Sequence, residues 1–524
     1  MSVDRLRGSQ LPYADNLVNL LVVGNPSSVA NEEIFRVLCP GGVAVFTTDQ
    51  GQLGPEKGTG PICRNGPEGA SHKLDLSPFP MLVKPWPQDI DQWTHHLHDS
   101  GGNAVARDRV AGPPRHLQWT AGPLWSRSHG WTPSVSAMVS AGGRLFYLVD
   151  ETLTCVDGTV PDKWFLTARD AFSGVLLWKQ PVQPWGSQAL SGTPGTGAGS
   201  TTGRFTMPPN IGKRLVAVDD AVYVTLGAGA PVTALDAATG RVRRVYPETA
   251  DADEILITDG RLIVALNPAD RPADGEPNKN VAPSPTSGKR VCAVEAQSGK
   301  VLWNKGPFTA VRATRTQDPF GRLELAAGDG RVLLMTHRAI EALSTDTGES
   351  IWRTERPALP DSADRRLGFA GIYEFLLTVM VYHDGVVLLA QPEPNSPHSY
   401  HTMPGTLYAF DARDGRLLWK HAYGAWGHCT QPDVFVVDGL VWTHVNAEAR
   451  FNVAANGWIK VPDTSAVDYR IQGLDLRTGA LRRELSAKEL FNVGHHHRCY
   501  RNKITERFLM ASRRGVEFVD LVSG

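Results

Sequence analysis

Short apolar runs recur along most of the chain, each bounded by Gly, Asp or Ser, and apolar and polar positions alternate within many of them. Alternation with a period of two marks half-buried strands. One turn recurs between such runs: a small residue, a hydrophobe, Asp, two variable positions, Thr or Ser, Gly, then a strand often ending in Trp. Its copies are ARDAFSGVLLW (168–178), ALDAATGRVRR (234–244), AVEAQSGKVLW (293–303), ALSTDTGESIW (342–352), AFDARDGRLLW (409–419) and GLDLRTGALRR (473–483), and a seventh, FVDLVSG, runs from 518 to 524. Asp and Thr/Ser bond backbone amides inside such a turn. Glycine supplies the positive φ of a tight hairpin. Asp170, Gly174, Asp236, Gly240, Gly299, Gly348, Asp411, Gly415, Asp475 and Gly479 are therefore expected to be structural turn residues. Trp178, Trp303, Trp352 and Trp419 are expected to pack between neighbouring sheets.

A second element precedes each complete copy: AGGRLFYLV, DDAVYVTL, TDGRLIVAL, GDGRVLLM, HDGVVLLA and VDGLVWTHV. Each is a turn followed by an apolar strand. Successive motif glycines lie 66, 59, 49, 67, 64 and 45 residues apart, and a four-stranded propeller blade takes about 40–45 residues. The prediction is an all-β chain dominated by a β-propeller, a repeat architecture of the kind WD repeats build, with loop insertions in its blades. Two β-sandwiches are the alternative, but they leave one turn recurring seven times unexplained.

The A-x-D-x-x-T-G-x-x-x-W turn resembles the signature of pyrroloquinoline-quinone (PQQ)-like repeats, found in quinoprotein alcohol dehydrogenases and in outer-membrane assembly lipoproteins of bacteria. The resemblance covers about 86–524, including PWPQDIDQWTHHLHDSGGNAVARD, which is similar to the lead-in of such propellers. It implies eight blades, where seven turns are countable and the last lacks its outer strand. It also implies export to the periplasm, and PQQ with calcium as cofactors of the enzymatic relatives. The dehydrogenases carry an adjacent cysteine pair and a calcium held beside a catalytic Asp by Glu and Asn. No Cys-Cys occurs here, and that trio matches no motif of the chain.

The first 48 residues depart from the repeat. LVNLLVV (17–23) reads as a strand, NEEIFRVL (31–38) as a short amphipathic helix ended by Cys39–Gly42, and VAVFTT (43–48) as a second strand. Strand–helix–strand is a βαβ unit. LPYADNLVNLLVV with EEIFRVLCPGGVAVF resembles the second half of a class I S-adenosylmethionine-dependent methyltransferase, whose glycine-rich cofactor loop would lie upstream. Methyl transfer is not expected from that remnant alone, and the chain resembles an internal piece of a larger fusion. Residues 49–87, rich in Gly and Pro, read as a linker. The expected division is 1–48, 49–87 and a C-terminally incomplete propeller over 88–524.

Composition sharpens this picture. The 524 residues hold 52 glycines and 37 prolines, above the usual combined share of about 12%, as many turns require. With 53 basic against 54 acidic residues and net charge −1, no nucleic-acid stripe is visible. No apolar run reaches the 18 or so residues of a membrane span, and the N-terminus carries no signal-peptide pattern. The six cysteines, at 39, 63, 155, 292, 429 and 499, form no C-x-x-C. Candidate metal ligands are His96 and His98, which would share one face of a strand, with His495, His497 and Cys499; His428-Cys429 is a third cluster. The alternative is that these groups satisfy backbone amides where blades meet. No catalytic residue is assigned. Inserts 182–210, 267–290 and 443–470 are candidates for partner contact. The expectation is a non-catalytic scaffold taking a protein or small-molecule ligand on a propeller face. A quinoprotein dehydrogenase is the first alternative and a metal enzyme using the His clusters the second.

Overall fold

A computed structural model of the chain describes residues 8–24, 29–47, 81–110, 112–113, 117–122, 135–151, 163–182, 211–227, 229–266, 288–309, 323–336, 338–357, 378–392, 402–426, 432–446, 452–453, 459–460, 469–486, 502–511 and 517–524. Among them, seven four-stranded sheets follow one another along the chain. Blades 1 to 6 span 135–181, 215–246, 252–308, 324–355, 379–426 and 435–486, each an antiparallel meander. The first strand of one sheet packs beside the first strand of the next through blades 1 to 5. Those strands therefore line a common axis, and the fourth strands face outward. Apolar clusters join each blade to its successor, from Phe146, Leu148 and Leu166 with Leu215 and Leu235 between blades 1 and 2 to Phe435 and Trp442 with Ile504 and Leu509 between blades 6 and 7. The chain is an all-β propeller, as its repeat predicts.

Two hairpins make each blade. Asp-Gly pairs turn the first in blades 3 to 6, with φ of 47° and 71° at Asp259-Gly260 and 44° and 71° at Asp384-Gly385, the left-handed pair that a two-residue hairpin of this twist needs. The recurrent Asp organises the second. Asp236 Oδ1 accepts from Ala238 N (3.1 Å), Thr239 N (2.8 Å) and Thr239 Oγ1 (2.8 Å), and Gly240 N closes the turn on Asp236 O at 2.8 Å. Asp170 and Asp475 do the same.

The tryptophans lie on the next blade's turn. Trp178 Nε1 donates to Ala237 O, Trp303 Nε1 to Thr345 O, Trp352 Nε1 to Ala412 O and Trp419 Nε1 to Leu476 O, at 2.8–2.9 Å. Each indole covers the turn glycine so closely that a Cβ on Gly240, Gly348, Gly415 or Gly479 would stand 2.5–2.7 Å from the ring. Where the motif ends in Arg, Arg244 covers Gly299 and Arg483 reaches the turn carbonyls of Leu521 and Val522.

The seventh sheet is built differently. Strands 517–520, 508–511 and 503–505 are joined on the axial side by Val105–Ala106, which runs parallel to 503–505. Its outermost strand among the described residues, 517–520, runs into the seventh copy of the turn motif. Trp119, far upstream in sequence, donates from Nε1 to Ala171 O (3.0 Å) and covers Gly174 of blade 1. That is the contact an outer-strand tryptophan of a preceding blade makes.

Before the propeller, β1 (Val18–Val23) and β2 (Leu38–Phe46) pair in parallel across α1 (Asn31–Val37), as a βαβ unit requires. The Cys39–Gly42 stretch ends the helix but itself belongs to β2, with Gly41 at φ 75°. β3 (Met81–Val83), inside the segment read as a linker, adds antiparallel to β2. Lys84 Nζ then reaches the helix-end carbonyls of Phe35 (2.6 Å) and Leu38 (2.8 Å). Asn19 Nδ2 donates to Asp170 Oδ2 at 2.7 Å, tying the unit to blade 1.

The bare face of the turn glycine carries a prediction. Gly260 (φ +71°) has nothing within 4 Å of a built Cβ, whereas at Gly348 (φ +68°) Trp303 Cδ2 stands 2.6 Å away. Gly260→Ala should lose roughly 1–2 kcal/mol of left-handed strain, and Gly348→Ala a further ~1–3 kcal/mol from displacing the indole. Denaturant midpoints of the two variants measure this; equal losses would contradict the docking.

Candidate functional site

The lead-in segment occupies the propeller axis. Trp93 O accepts from Ser140 N in blade 1 (2.7 Å) and Thr94 O from Ala217 N in blade 2 (2.9 Å). His95 Nε2 accepts from Ile257 N in blade 3 at 3.0 Å. Ser100 O takes Ala327 N of blade 4 and Gly101 O takes Tyr382 N of blade 5, both at 2.8 Å. The Asn103 amide brackets Val436 of blade 6, Oδ1 accepting its N (2.9 Å) and Nδ2 donating to its O (3.0 Å). Val105–Ala106 then pairs with Ile504–Thr505 of blade 7. One short segment thus meets an inner strand of every described blade, in chain order. Most of these contacts fall toward the ends of the inner strands, so that end of the axis is filled by protein.

The histidines hold this segment in shape. It doubles back between His95 and His98, whose amides each bond the other's carbonyl (3.1 and 3.2 Å), and His98 takes φ 78°. The expected strand alternation that would align His96 with His98 is therefore absent. His98 Nε2 meets Asp91 Oδ2 at 2.6 Å and Nδ1 meets Asp99 Oδ2 at 3.3 Å, while Trp93 packs edge-on at 5.3 Å. Burial pushes His98 down, but the two carboxylates outweigh it and raise its pKa to about 9. His95 is the opposite case: burial lowers it to about 4. A neutral ring accepting at Nε2 carries its proton on Nδ1, which lies 2.8 Å from Thr94 Oγ1.

Where the inner strands begin, buried charges cross the blade boundaries. Lys213 Nζ lies 2.8 Å from Glu254 Oε1 and 2.7 Å from Glu324 Oε1, and Arg214 Nη2 lies 2.9 Å from Asp253 Oδ1. The two glutamates sit on inner strands of blades 3 and 4 and share one ammonium, so the cluster joins three blades. Among the described residues no group of three or more His, Cys, Asp or Glu side chains is disposed to hold a metal. A calcium beside a quinone needs several oxygen donors, usually carboxylates among them, and no three Asp or Glu side chains gather in that way among the described residues. His428, Cys429, His495, His497 and Cys499 lie outside the described residues, as do most of the three inserts.

The seven-sheet architecture, the indole-on-glycine contacts and the turn chemistry define a PQQ-like repeat propeller. A family model described as outer membrane protein assembly factor BamB matches residues 117–362 and 336–487, and the chain belongs to that repeat family. No curated protein matches. Among solved structures, BamB from Moraxella catarrhalis is 12% identical, with TM-score 0.36 over 71% of this chain and 78% of that one. A quinohemoprotein alcohol dehydrogenase from Comamonas testosteroni is 13% identical, with TM-score 0.41 over 80% and 69%. A europium-containing methanol dehydrogenase is 11% identical, with TM-score 0.45 over 83% and 84%. Among the described residues no helix is long and apolar enough to cross a membrane.

The two histidines bracket a pH window for stability. His98, raised from 6.5 to about 9, contributes stability that is complete below pH 6.5 and is lost as pH rises through 9. His95, lowered from 6.5 to about 4, costs stability as pH falls from 6.5 toward 4, because the unfolded ring protonates first. Denaturant midpoints should fall on both sides of about pH 6.5, and His98→Gln should flatten the alkaline limb. An unchanged alkaline limb in that variant would contradict the ion pairing.

Proposed function

We propose that this chain is a non-catalytic binding scaffold: a PQQ-like propeller that presents a protein or small-molecule ligand site on one of its faces. The observation that carries the reading is the axial segment, which spends Trp93, Thr94, His95, Ser100, Gly101 and Asn103 on hydrogen bonds to successive inner strands. At that end the axis is used for cohesion, and at the other Lys213 already engages the carboxylates of Glu254 and Glu324. Rigid blades that hold long loops outward are a common platform for recognition. We read 88–524 as this scaffold and 1–48 as a methyltransferase-like fragment carried beside it, supported by the parallel pairing of β1 and β2.

A quinone-dependent oxidoreductase is the second reading, favoured by the repeat signature that the dehydrogenases share. Purified protein supplied with PQQ and calcium should reduce no redox dye with alcohols or sugars and should retain no quinone absorbance after gel filtration. Dye reduction dependent on the quinone would overturn the scaffold reading. The metal reading rests on His96, His98, His495, His497 and Cys499; stoichiometric zinc, iron or copper by elemental analysis would support it instead.

A further inference from the structure

Blades 4, 5 and 6 share a cleft on the face where their short turns lie. Its origin is a single glycine. Gly328 ends the inner strand of blade 4, and a Cβ there would stand 2.2 Å from Tyr382 Cε1. The bare backbone lets Tyr382, on the inner strand of blade 5, lean across and donate its hydroxyl to the Asp329 carboxylate. Beside this bridge opens a hollow of about 460 Å³, lined by Asp329, Arg331, Tyr382, Asp384, Arg413 and Arg477 among others.

The three arginines are not equally occupied. Arg413 holds Asp411 in a fork, Nε to Oδ1 at 3.0 Å and Nη2 to Oδ2 at 2.7 Å. Arg477 Nη2 reaches Asp384 O at 2.5 Å and Asp384 Oδ2 at 3.3 Å. Arg331 donates from Nη1 only to a backbone carbonyl, Asp329 O (2.8 Å), as Arg261 of blade 3 does to Asp259 O (2.9 Å), while Tyr382 holds the Asp329 carboxylate. Its Nε is buried with no hydrogen-bond partner among the described residues. A buried donor left unpaired costs about 1–3 kcal/mol, and more when charged. A ligand in the hollow would meet Arg331 through the guanidinium edge that lines it.

We propose that this cleft binds a carboxylate-bearing peptide segment of a partner protein, with an acidic side chain on Arg331 and the edges of Arg413 and Arg477. A guanidinium presents paired donors whose spacing matches a carboxylate. The lining carries both signs, so peptide N–H groups find acceptors in Asp384 and Asp329, the same carboxylates that would repel a polyphosphate. The hollow is open and crosses three blades, which suits an extended chain better than an enveloped small molecule. The proposal rests on the scaffold reading and gives it a partner chemistry.

Fluorescence anisotropy of the full chain with a fluorescein-labelled peptide of alternating glycine and glutamate tests it, with the glutamine counterpart as control. Saturable binding of the glutamate peptide alone is expected. Arg331→Gln and Arg477→Ala should each weaken it about tenfold, the equivalent of one charge-assisted bond, while Arg243→Ala on blade 2 leaves it unchanged. Arg477 is half exposed, so its variant tests the cleft even if Arg331→Gln fails to fold by circular dichroism. No saturable binding, equal binding of the glutamine peptide, indifference to Arg477→Ala, or displacement by equimolar inorganic phosphate would each overturn the proposal. Running the quinone dye assay on the same preparation separates the two readings. Peptide binding lost with dye reduction absent rejects the cleft alone, and dye reduction with peptide bound rejects the scaffold alone.

Discussion

The propeller depends on one contact, an indole laid on the turn glycine of the next blade. Each such contact does three things at once. The ring buries apolar area between sheets, its N–H satisfies the turn carbonyl of Ala237, Thr345, Ala412 or Leu476, and its plane fills the space that a side chain would need. A sheet that is flat and apolar on two faces has many ways to pack on its neighbour. A directional hydrogen bond beside a glycine with no side chain leaves few. Sheet-to-sheet geometry is thereby passed from one blade to the next through contacts 42 to 60 residues apart, which suits a chain whose stability is a sum of nearest-neighbour terms.

Nearest-neighbour contacts alone do not set all the blades about one axis, and elements upstream of blade 1 supply contacts of longer range. Trp119 covers Gly174 as the other tryptophans cover their glycines, and Val105–Ala106 joins the last sheet from the axial side. Between them, in space, the segment from Trp93 to Asn103 pins the inner strands of blades 1 to 6. These contacts span up to 333 residues and carry the long-range order that the hairpins lack. The His98 pair with Asp91 and Asp99 matters here because a reverse turn at φ 78° on a non-glycine residue needs support from outside the backbone.

What was legible in the sequence divides along the same line. The Asp, Gly and Trp of each turn act within a hairpin or on the adjacent blade, so their spacing repeats and their roles could be read from it. Arg244 and Arg483 stand where the motif expects Trp, and the structure keeps the contact with a guanidinium, whose planar head and aliphatic stem do part of the same work. Trp119 could be seen only as one of several tryptophans near the first blade, since its partner, Gly174, belongs to another repeat. The histidines of Thr94–Asp99 suggested a metal by their density. Their arrangement instead follows from a turn that period-two reasoning does not anticipate, and from amide partners in blade 3 that no local pattern reveals. β3 was hidden for a simpler reason: three residues in a Gly/Pro-rich stretch carry no periodic signal.

The position of the polar groups follows from the same division. Residues with a neighbour in the hairpin are self-satisfied: Asp236 is held near 2 by Arg243 and Thr239, and its lone pairs are committed. Chemistry free for a ligand must then come from positions where the repeat is broken. Gly328 and Tyr382 are such a break, because a tyrosine on the inner strand of blade 5 crosses to the Asp329 carboxylate of blade 4. In a repeat fold that satisfies its own turns so completely, a place where the pattern is broken is where polar groups remain for other contacts.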